Sequence, residues 1–167
     1  DSSNRYVKTT ITPDGIETIN NGFDELYGLV KSQTNTTFNQ TISNEYDAWG
    51  KTTAVTDYLG KSITYSYERN GDEYITKVYP ESGGESFTVS DALARVIRKG
   101  HLDLSGRMVL QDTKYDELGR KSEESEPYFE GDEPDQWSYF TYDDLSRIIQ
   151  LNEFTGKITT YEYDGLI

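Results

Sequence analysis

An aromatic residue followed by aspartate and a tight turn recurs along this sequence, and this recurrence constrains the fold more than any other feature. Seven copies begin at positions 23, 46, 67, 90, 115, 142 and 163, so that successive copies are 21 to 27 residues apart. Residues 115–120 (Tyr-Asp-Glu-Leu-Gly-Arg) are the most complete copy. A repeat of this length indicates a tandem array, in which each unit buries its apolar surface against its neighbours.

The copies differ in how much of the pattern they keep. The copies at 46 and 142 retain tyrosine and aspartate, the copy at 67 carries Glu68 in place of aspartate, and the copy at 90 begins with serine. We predict that the repeated turns are built by Tyr46, Asp47, Gly50, Tyr67, Gly71, Asp91, Arg95, Tyr115, Asp116, Gly119, Arg120, Tyr142, Asp143, Arg147, Tyr163 and Asp164.

The residue types explain why each copy forms a turn. Aspartate at the first position of a type I turn accepts backbone N–H groups, and glycine three residues later tolerates a positive φ. The tyrosine then ends one strand and the arginine or lysine after the glycine begins the next. The charge of that basic residue is expected to pair with the turn aspartate.

Two strand-like segments joined by a second turn lie between successive copies. Residues 51–56 and 61–67, for example, flank the turn at 57–60, and residues 62–67 alternate in the manner of a half-buried strand. The longest repeat contains a loop at residues 126–135. Helical periodicity is absent from every stretch of the sequence, which therefore predicts hairpins throughout.

The composition indicates a β-rich fold with a thin core. Apolar residues make up only 34% of the 167 residues, yet 14 residues are Tyr, 6 are Phe and 2 are Trp. Disordered chains are poor in aromatic residues, and Tyr, Thr, Val and Ile favour strands. We therefore expect a folded chain whose core is thin and rich in tyrosine.

The net charge disfavours some classes of partner, and the lack of cysteine excludes some kinds of site. Lys and Arg number 16 and Asp and Glu number 30, so the formal net charge is -14. This charge disfavours nucleic acid and anionic membrane as partners and favours a basic partner. No apolar run reaches the roughly 18 residues of a membrane span, so we expect no membrane insertion. Without cysteine, disulfides and thiolate metal sites are excluded.

The turns resemble the Tyr-Asp-x-x-Gly-Arg repeats of the RHS or YD-repeat family. The resemblance extends from about Phe23 to the end and is closest over residues 90–163, where residues 126–129 precede the predicted strand Trp137–Tyr142. Such repeats occur in bacterial toxin-complex shell subunits, in wall-associated RHS proteins and, distantly, in teneurins. In that family many repeats wind a β-sheet into a hollow spiral shell, which in the toxin proteins encloses a C-terminal toxin domain.

The resemblance also carries implications for organisation and partners. Seven repeats are too few to close a shell, so it implies that residues 1–167 are a single array belonging to a longer protein. Its partners would be neighbouring repeats of the same protein and a C-terminal toxin or effector cargo. The protein would be secreted or displayed on a bacterial cell surface. The family's self-cleaving aspartate motif has no counterpart in this sequence.

Four aromatic residues outside the repeated turn position are candidates for stacking on sugar rings: Trp49, Tyr128, Phe129 and Trp137. Packing in the core or in a loop is the competing interpretation, and we favour it. For the Tyr-Asp pairs, recurrence at every turn fits an architectural role better than a single sugar site.

Other chemistry has weaker support in the sequence. The acidic residues Glu130, Asp132, Glu133 and Asp135 lack the spacing of an EF-hand, so we interpret them as a solvated loop rather than a calcium site. His101 is the only histidine and has no spaced companion, which favours a plain strand residue. No pair of carboxylates is singled out as a glycosidase pair. We expect no catalytic residues, no cofactor and no metal site.

The sequence thus predicts an all-β fold, in which tandem antiparallel hairpins of about a dozen strands form a twisted, curved open sheet, a piece of a spiral β-shell. Its predicted function is structural: part of a shell or scaffold that encloses or presents a toxin or another effector domain. The alternative is a cell-surface module for carbohydrate binding or adhesion. The open edges of such a sheet also predict edge-to-edge self-association.

Overall fold

The computed structural model describes residues 5–165, which form two compact units built of β-strands. Unit 1 contains the residues up to Ser66 together with Val78–Gly83, and unit 2 contains Tyr67–Lys77 and the residues from Gly84 onward. Fifteen strands and no helix occur in the described residues. The predicted all-β class, an open antiparallel sheet of tandem hairpins, is confirmed. No helix long and apolar enough to cross a bilayer occurs between residues 5 and 165.

In unit 1, strands that follow one another along the chain pair antiparallel. Its strands are β1 (Thr9–Ile11), β2 (Glu17–Phe23), β3 (Val30–Asn35), β4 (Gln40–Tyr46) and β5 (Thr52–Thr56), followed by the first part of β6 (Ser62–Asn70). The hairpin of β6 and β7 (Glu73–Pro80) contributes residues to both units.

Unit 2 repeats the same antiparallel arrangement in chain order, with one exception. Its further strands are β8 (Ser86–Ser90), β9 (Val96–Leu102), β10 (Met108–Tyr115), β11 (Lys121–Ser125), β12 (Tyr128–Phe129), β13 (Trp137–Tyr142), β14 (Ile148–Asn152) and β15 (Ile158–Thr160). The exception is β12, which pairs with β10, so that β11 pairs directly with β13.

The number of strands exceeds the predicted dozen, and three of the fifteen are very short. β1 and β15 have three residues each and β12 has two. β12 lies inside the segment predicted to be a loop at residues 126–135. The strand there is specified by its partner β10 rather than by its own sequence.

The core of unit 2 is as thin as the composition predicts. Among the described residues, the buried large hydrophobic side chains are Val89 and Leu110, and the one fully buried polar side chain is that of Ser125. The Ser125 hydroxyl accepts the backbone N–H of Asp112 at 2.8 Å, and the Ser125 carbonyl accepts the side-chain amide of Gln111 at 3.0 Å. Hydrogen bonds therefore compensate for burying this polar residue.

Candidate functional site: a ladder of turns

The repeated turn is held by one carboxylate oxygen that accepts two backbone N–H groups. In the turn after β10, Asp116 Oδ1 accepts from Leu118 N at 3.0 Å and from Arg120 N at 2.8 Å. The same pair of bonds, to the residues two and four positions later, is made by Asp47, Asp57, Asp91, Asp103 and Asp143. The side chain thus satisfies donors that a short turn leaves without strand partners.

A residue of left-handed conformation closes each of these turns, and beside four of them the strand register shifts by one residue. Gly50 and Gly119 have φ values of 80° and 79°, and Ala94 and Ser146 take the same place with φ values of 60° and 62°. The register shifts lie beside Tyr46, Ser90, Tyr115 and Tyr142, directly before the turns. A type I turn followed by a left-handed residue and a bulge is the common three-residue hairpin connection.

Ala94 pays a steric cost at its turn, and we expect Ala94→Gly to stabilise unit 2. A left-handed residue with a Cβ costs about 1–2 kcal/mol, while glycine loses more chain entropy on folding, so the expected net gain is about 0.5–1 kcal/mol. The measurement is urea unfolding followed by fluorescence. Ala92→Gly, in the same turn but without a positive φ, serves as the control and is expected to destabilise. A lower stability for Ala94→Gly than for wild type would contradict this account of the turn.

In unit 2, the arginines after the turns of Asp91, Asp116 and Asp143 each contact their own turn and the next copy. Arg120 Nε donates to Asp116 Oδ2 at 2.7 Å, and its guanidinium lies over the Tyr142 ring at 4.5 Å from the centroid. One guanidinium nitrogen also donates to the backbone carbonyl of Asp143, at 3.2 Å. The same residue therefore contacts two consecutive turns.

Two further arginines repeat this arrangement. Arg95 pairs with Asp91 and lies 4.7 Å from the centroid of Tyr115. Arg147 pairs with Asp143, lies 4.4 Å from the centroid of Tyr163 and donates to the carbonyl of Gly165 at 2.9 Å. Each cation stacks on the aromatic residue of the following copy, an interaction that contributes about 0.5–1 kcal/mol at exposed sites.

The tyrosines of four copies reach back across one repeat. The hydroxyls of Tyr115, Tyr142 and Tyr163 donate to the carbonyls of Val96, Lys121 and Ile148, each the residue after the stacking arginine. In unit 1, Tyr46 donates in the same way to the Val30 carbonyl at 2.8 Å. We call this set of turn aspartates, arginines and tyrosines the turn ladder.

Acid is expected to destabilise the turn ladder. The pKa of Asp91 is lowered mainly by the hydrogen bond from the Arg95 side chain, and that of Asp143 by the backbone N–H of Arg147. Asp116 also has a lowered pKa, because the hydrogen bonds from Arg120 outweigh burial. Hydrogen bonds, first from the Ser105 side chain, lower the pKa of Asp103 to about 2.

These lowered pKa values determine how the free energy of unfolding changes with pH. A carboxylate whose pKa is lower when folded contributes stability above its unfolded value of about 3.9, and this contribution is lost as the pH falls toward the folded value. We therefore expect the free energy of unfolding to fall steeply between about pH 4 and pH 2. Urea titrations at several pH values measure this slope. Asp103→Asn should flatten it, and an unchanged slope in that variant would contradict the assignment.

The structure places most of the predicted turn residues in the ladder, but not Tyr67 and Gly71 of the copy at 67. Tyr67 lies within β6, which continues to Asn70, and the turn begins only at Gly71. Glu68 pairs with Lys77 of the opposite strand at 2.8 Å instead of capping a turn. The physical reason is the two-residue loop Gly71-Asp72, whose glycine takes a φ of 61° at the first loop position, as tight hairpin turns favour. The copy at 163 contributes Tyr163 to the ladder, while its Leu166 lies outside the described residues.

Three of the four candidate sugar-stacking residues have contacts within unit 2. Tyr128 donates its hydroxyl to Asp112 at 2.8 Å, and Arg107 lies 3.7 Å from the centroid of the Phe129 ring. Trp137 donates its indole N–H to the Pro134 carbonyl and carries the Lys114 ammonium 4.2 Å from its centroid. Trp49 is different, since its side chain is 80% exposed. Sugar stacking by these residues stays a prediction.

A cleft of about 710 Å³ lies beside this aromatic group, between β9, β10 and the segment that contains β12. At its wall Arg98 makes two hydrogen bonds to Asp112, of 2.6 and 2.7 Å. Burial and the neighbouring Asp112 raise the pKa of Tyr128 to about 12, and the contacts from Arg98 and Tyr128 lower the pKa of Asp112. Within residues 5–165 no group of three or more potential ligand side chains is arranged to hold a metal ion.

Sequence reasoning missed the contacts between turns. It paired each arginine with its own aspartate, which Arg95, Arg120 and Arg147 do, but it did not place the guanidinium on the next tyrosine. The available signal was the recurrence of tyrosine and arginine together, because two residues that interact in successive repeats must recur together.

Comparison with known proteins finds one matching family model and several solved structures of similar fold. The model of the family described as RHS Repeat matches residues 46–83. Among curated proteins no match is found. In the TcdB2-TccC3 crystal structure, a chain of 12% identity covers 95% of this chain with a TM-score of 0.69.

Two further structures have 18% identity, cover 83% of this chain and give a TM-score of 0.60. They are the TcdB2-TccC3-Cdc42 complex and the Tc holotoxin pore of Photorhabdus luminescens with a TccC3 variant. The chain spans only 7–11% of the length of the solved chains that it matches. At such low identities, the TM-scores show a shared fold and nothing more.

Proposed function

We propose that this chain is a structural segment of a β-shell that encloses or presents a toxin or another effector domain, a proposal supported by the match of the RHS Repeat family model to residues 46–83. The observation that carries the proposal is the turn ladder, in which Arg120 and Tyr142 connect one turn to the next. A wall made of a single thin sheet lacks a deep hydrophobic core. The contacts between successive turns along its edge supply the stability that a core would otherwise provide.

The thinness of the core supports a wall rather than an independent globular module. Few large hydrophobic side chains are buried, and hydrogen bonds and ion pairs along the strands supply the remaining contacts. Repeat arrays gain their stability from the interface between neighbouring repeats. This arrangement is suited to a long array that surrounds something else.

The cargo and the location are part of the same proposal. One of the solved structures of similar fold is a Tc holotoxin pore, and this supports a toxin or effector as the enclosed domain. It also supports a protein that acts outside the bacterial cell, secreted or on its surface. Neighbouring repeats of the same polypeptide would be its immediate partners.

Electron cryomicroscopy of the natural full-length protein tests this function. The expected map shows residues 5–165 as part of a closed wall, with the effector domain on the inside. Protease digestion supplies a second readout, since an enclosed effector is protected until the wall is broken. Tyr142→Ala should expose the effector to protease, whereas the exposed strand variant Tyr139→Ala should not. An open strip with a freely accessible effector would overturn the proposal.

A further inference from the structure

Large apolar side chains stand exposed at the tips of the turns that begin the repeated copies, two residues after the turn aspartate of each. In unit 2 these are Leu93, Leu118 and Leu145, with 72%, 75% and 55% of the side chain exposed. We call these three leucines the turn rim. Unit 1 has Leu26 and Trp49 at the equivalent positions, 75% and 80% exposed.

The turns themselves do not need apolar side chains at these positions. What the turn uses is the backbone N–H, which Leu93, Leu118 and Leu145 donate to their aspartates at 2.9 to 3.0 Å. A type I turn accepts most residue types there. Apolar side chains aligned along one edge form a larger apolar patch than scattered single ones, and large exposed apolar patches mark interaction sites.

The three leucines lie along one edge of unit 2. Their turns join β8 to β9, β10 to β11 and β13 to β14, and the intervening connections emerge at the opposite edge. Neighbouring strands are 4.7–4.9 Å apart, so turns separated by two strands are about 9.4–9.8 Å apart. The contact of Arg120 with the carbonyl of Asp143 shows that the second and third turns are adjacent.

The charge at this edge favours a positively charged partner. The turn aspartates are neutralised by their arginines, whereas Glu117 and Asp144, beside Leu118 and Leu145, are exposed and make no ion pair within the described residues. The whole chain has a net charge of -14. A second copy would be repelled, and a basic segment would be attracted.

We propose that the turn rim of unit 2 binds a basic polypeptide segment that carries an apolar side chain at intervals of about 10 Å. A polyproline II segment has this spacing, because it rises about 3.1 Å per residue and returns to the same side every third residue, about 9.3 Å apart. Leucines at every third position would contact Leu93, Leu118 and Leu145, with basic residues between them facing Glu117 and Asp144. This inference does not depend on the proposed shell function.

Calorimetric titration of the full chain with a synthetic peptide of four Lys-Pro-Leu repeats tests the proposal. We expect the triple variant Leu93→Ser, Leu118→Ser, Leu145→Ser to weaken binding roughly tenfold or more. Leu104→Ser, an exposed turn leucine at the opposite edge of the same unit, is the matched control and should bind as wild type does. Glu117→Gln with Asp144→Asn should reduce the salt dependence of binding.

Several results would overturn the proposal. They are equal binding by wild type and the triple variant, equal loss in the Leu104→Ser control, and undiminished binding of a peptide of Glu-Pro-Leu repeats. Light scattering gives a further test, since a dimer that the triple variant converts to monomer would assign the rim to a second copy instead. Trp137 fluorescence establishes that each variant is folded before binding is compared.

Discussion

Replacing Gly100 by alanine is expected to lower the free energy of unfolding of unit 2 by about 1–3 kcal/mol, the usual cost of overpacking. Gly100 is the glycine of β9 over which the Phe87 ring lies. A Cβ at Gly100 would lie 2.6 Å from Phe87 Cζ and 3.0 Å from Leu110 Cδ2. Since Gly100 has no positive φ, the added methyl group acts through packing rather than through backbone strain.

Alanine at position 100 also has an opposing, stabilising effect. The direction of the measured change in stability therefore shows which of the two effects is larger. Alanine lowers the entropy of the unfolded chain, which stabilises by about 0.4–1 kcal/mol where the backbone is compatible. Urea unfolding in a Trp49→Phe background follows unit 2 through Trp137 alone. Phe87→Leu should cost less in the Gly100→Ala chain than in wild type, because it relieves the clash. Equal or greater stability for Gly100→Ala would contradict the packing described at this site.

Removing the Tyr142 side chain is expected to destabilise unit 2 by about 2 kcal/mol or more. Tyr142→Ala loses the 2.7 Å hydrogen bond to the Lys121 carbonyl, the stacked guanidinium of Arg120 and the packing of a half-buried ring. Tyr142→Phe loses only the hydrogen bond and should cost about 1 kcal/mol. Tyr139→Ala, at an exposed position of the same strand, controls for strand propensity.

A double-mutant cycle separates the contact between turns from the turn itself. Arg120→Met keeps the aliphatic stem but loses the hydrogen bonds to Asp116 and to the Asp143 carbonyl. In combination with Tyr142→Leu it should show a coupling of about 0.5–1 kcal/mol, the magnitude of a stacked cation. Strict additivity of the two variants would mean that successive turns are not linked, and the turn ladder would then be a row of independent turns.

The turns could be predicted in detail because their determinants are local. Asp116, Gly119 and Arg120 lie within five residues, and the carboxylate that caps the turn contacts N–H groups two and four positions later. Tyr67 was the failure among them. Its copy carries glutamate, and the hairpin turns instead at Gly71-Asp72, where Gly71 takes a positive φ.

The candidate site was predicted less completely, because its contacts join residues from different repeats. Tyr142 and Lys121 are 21 positions apart, and nothing in either turn alone indicates that a hydroxyl of one reaches a carbonyl of the other. β12 is a similar case, since its two residues form a strand only because β10 offers a free edge there.

The repeat, the all-β class, the turn geometry and the thin, tyrosine-rich core could all be predicted from the sequence. These follow from composition and from interactions within a few residues, whose energetics do not depend on distant partners. The tertiary structure alone decided that arginines stack on the next tyrosine, that Phe87 occupies the space a side chain at Gly100 would fill, and that the leucines at the turn tips stay exposed along one edge. The physical reason is that strand pairing sets these distances, and it brings together residues that are more than ten positions apart in the chain.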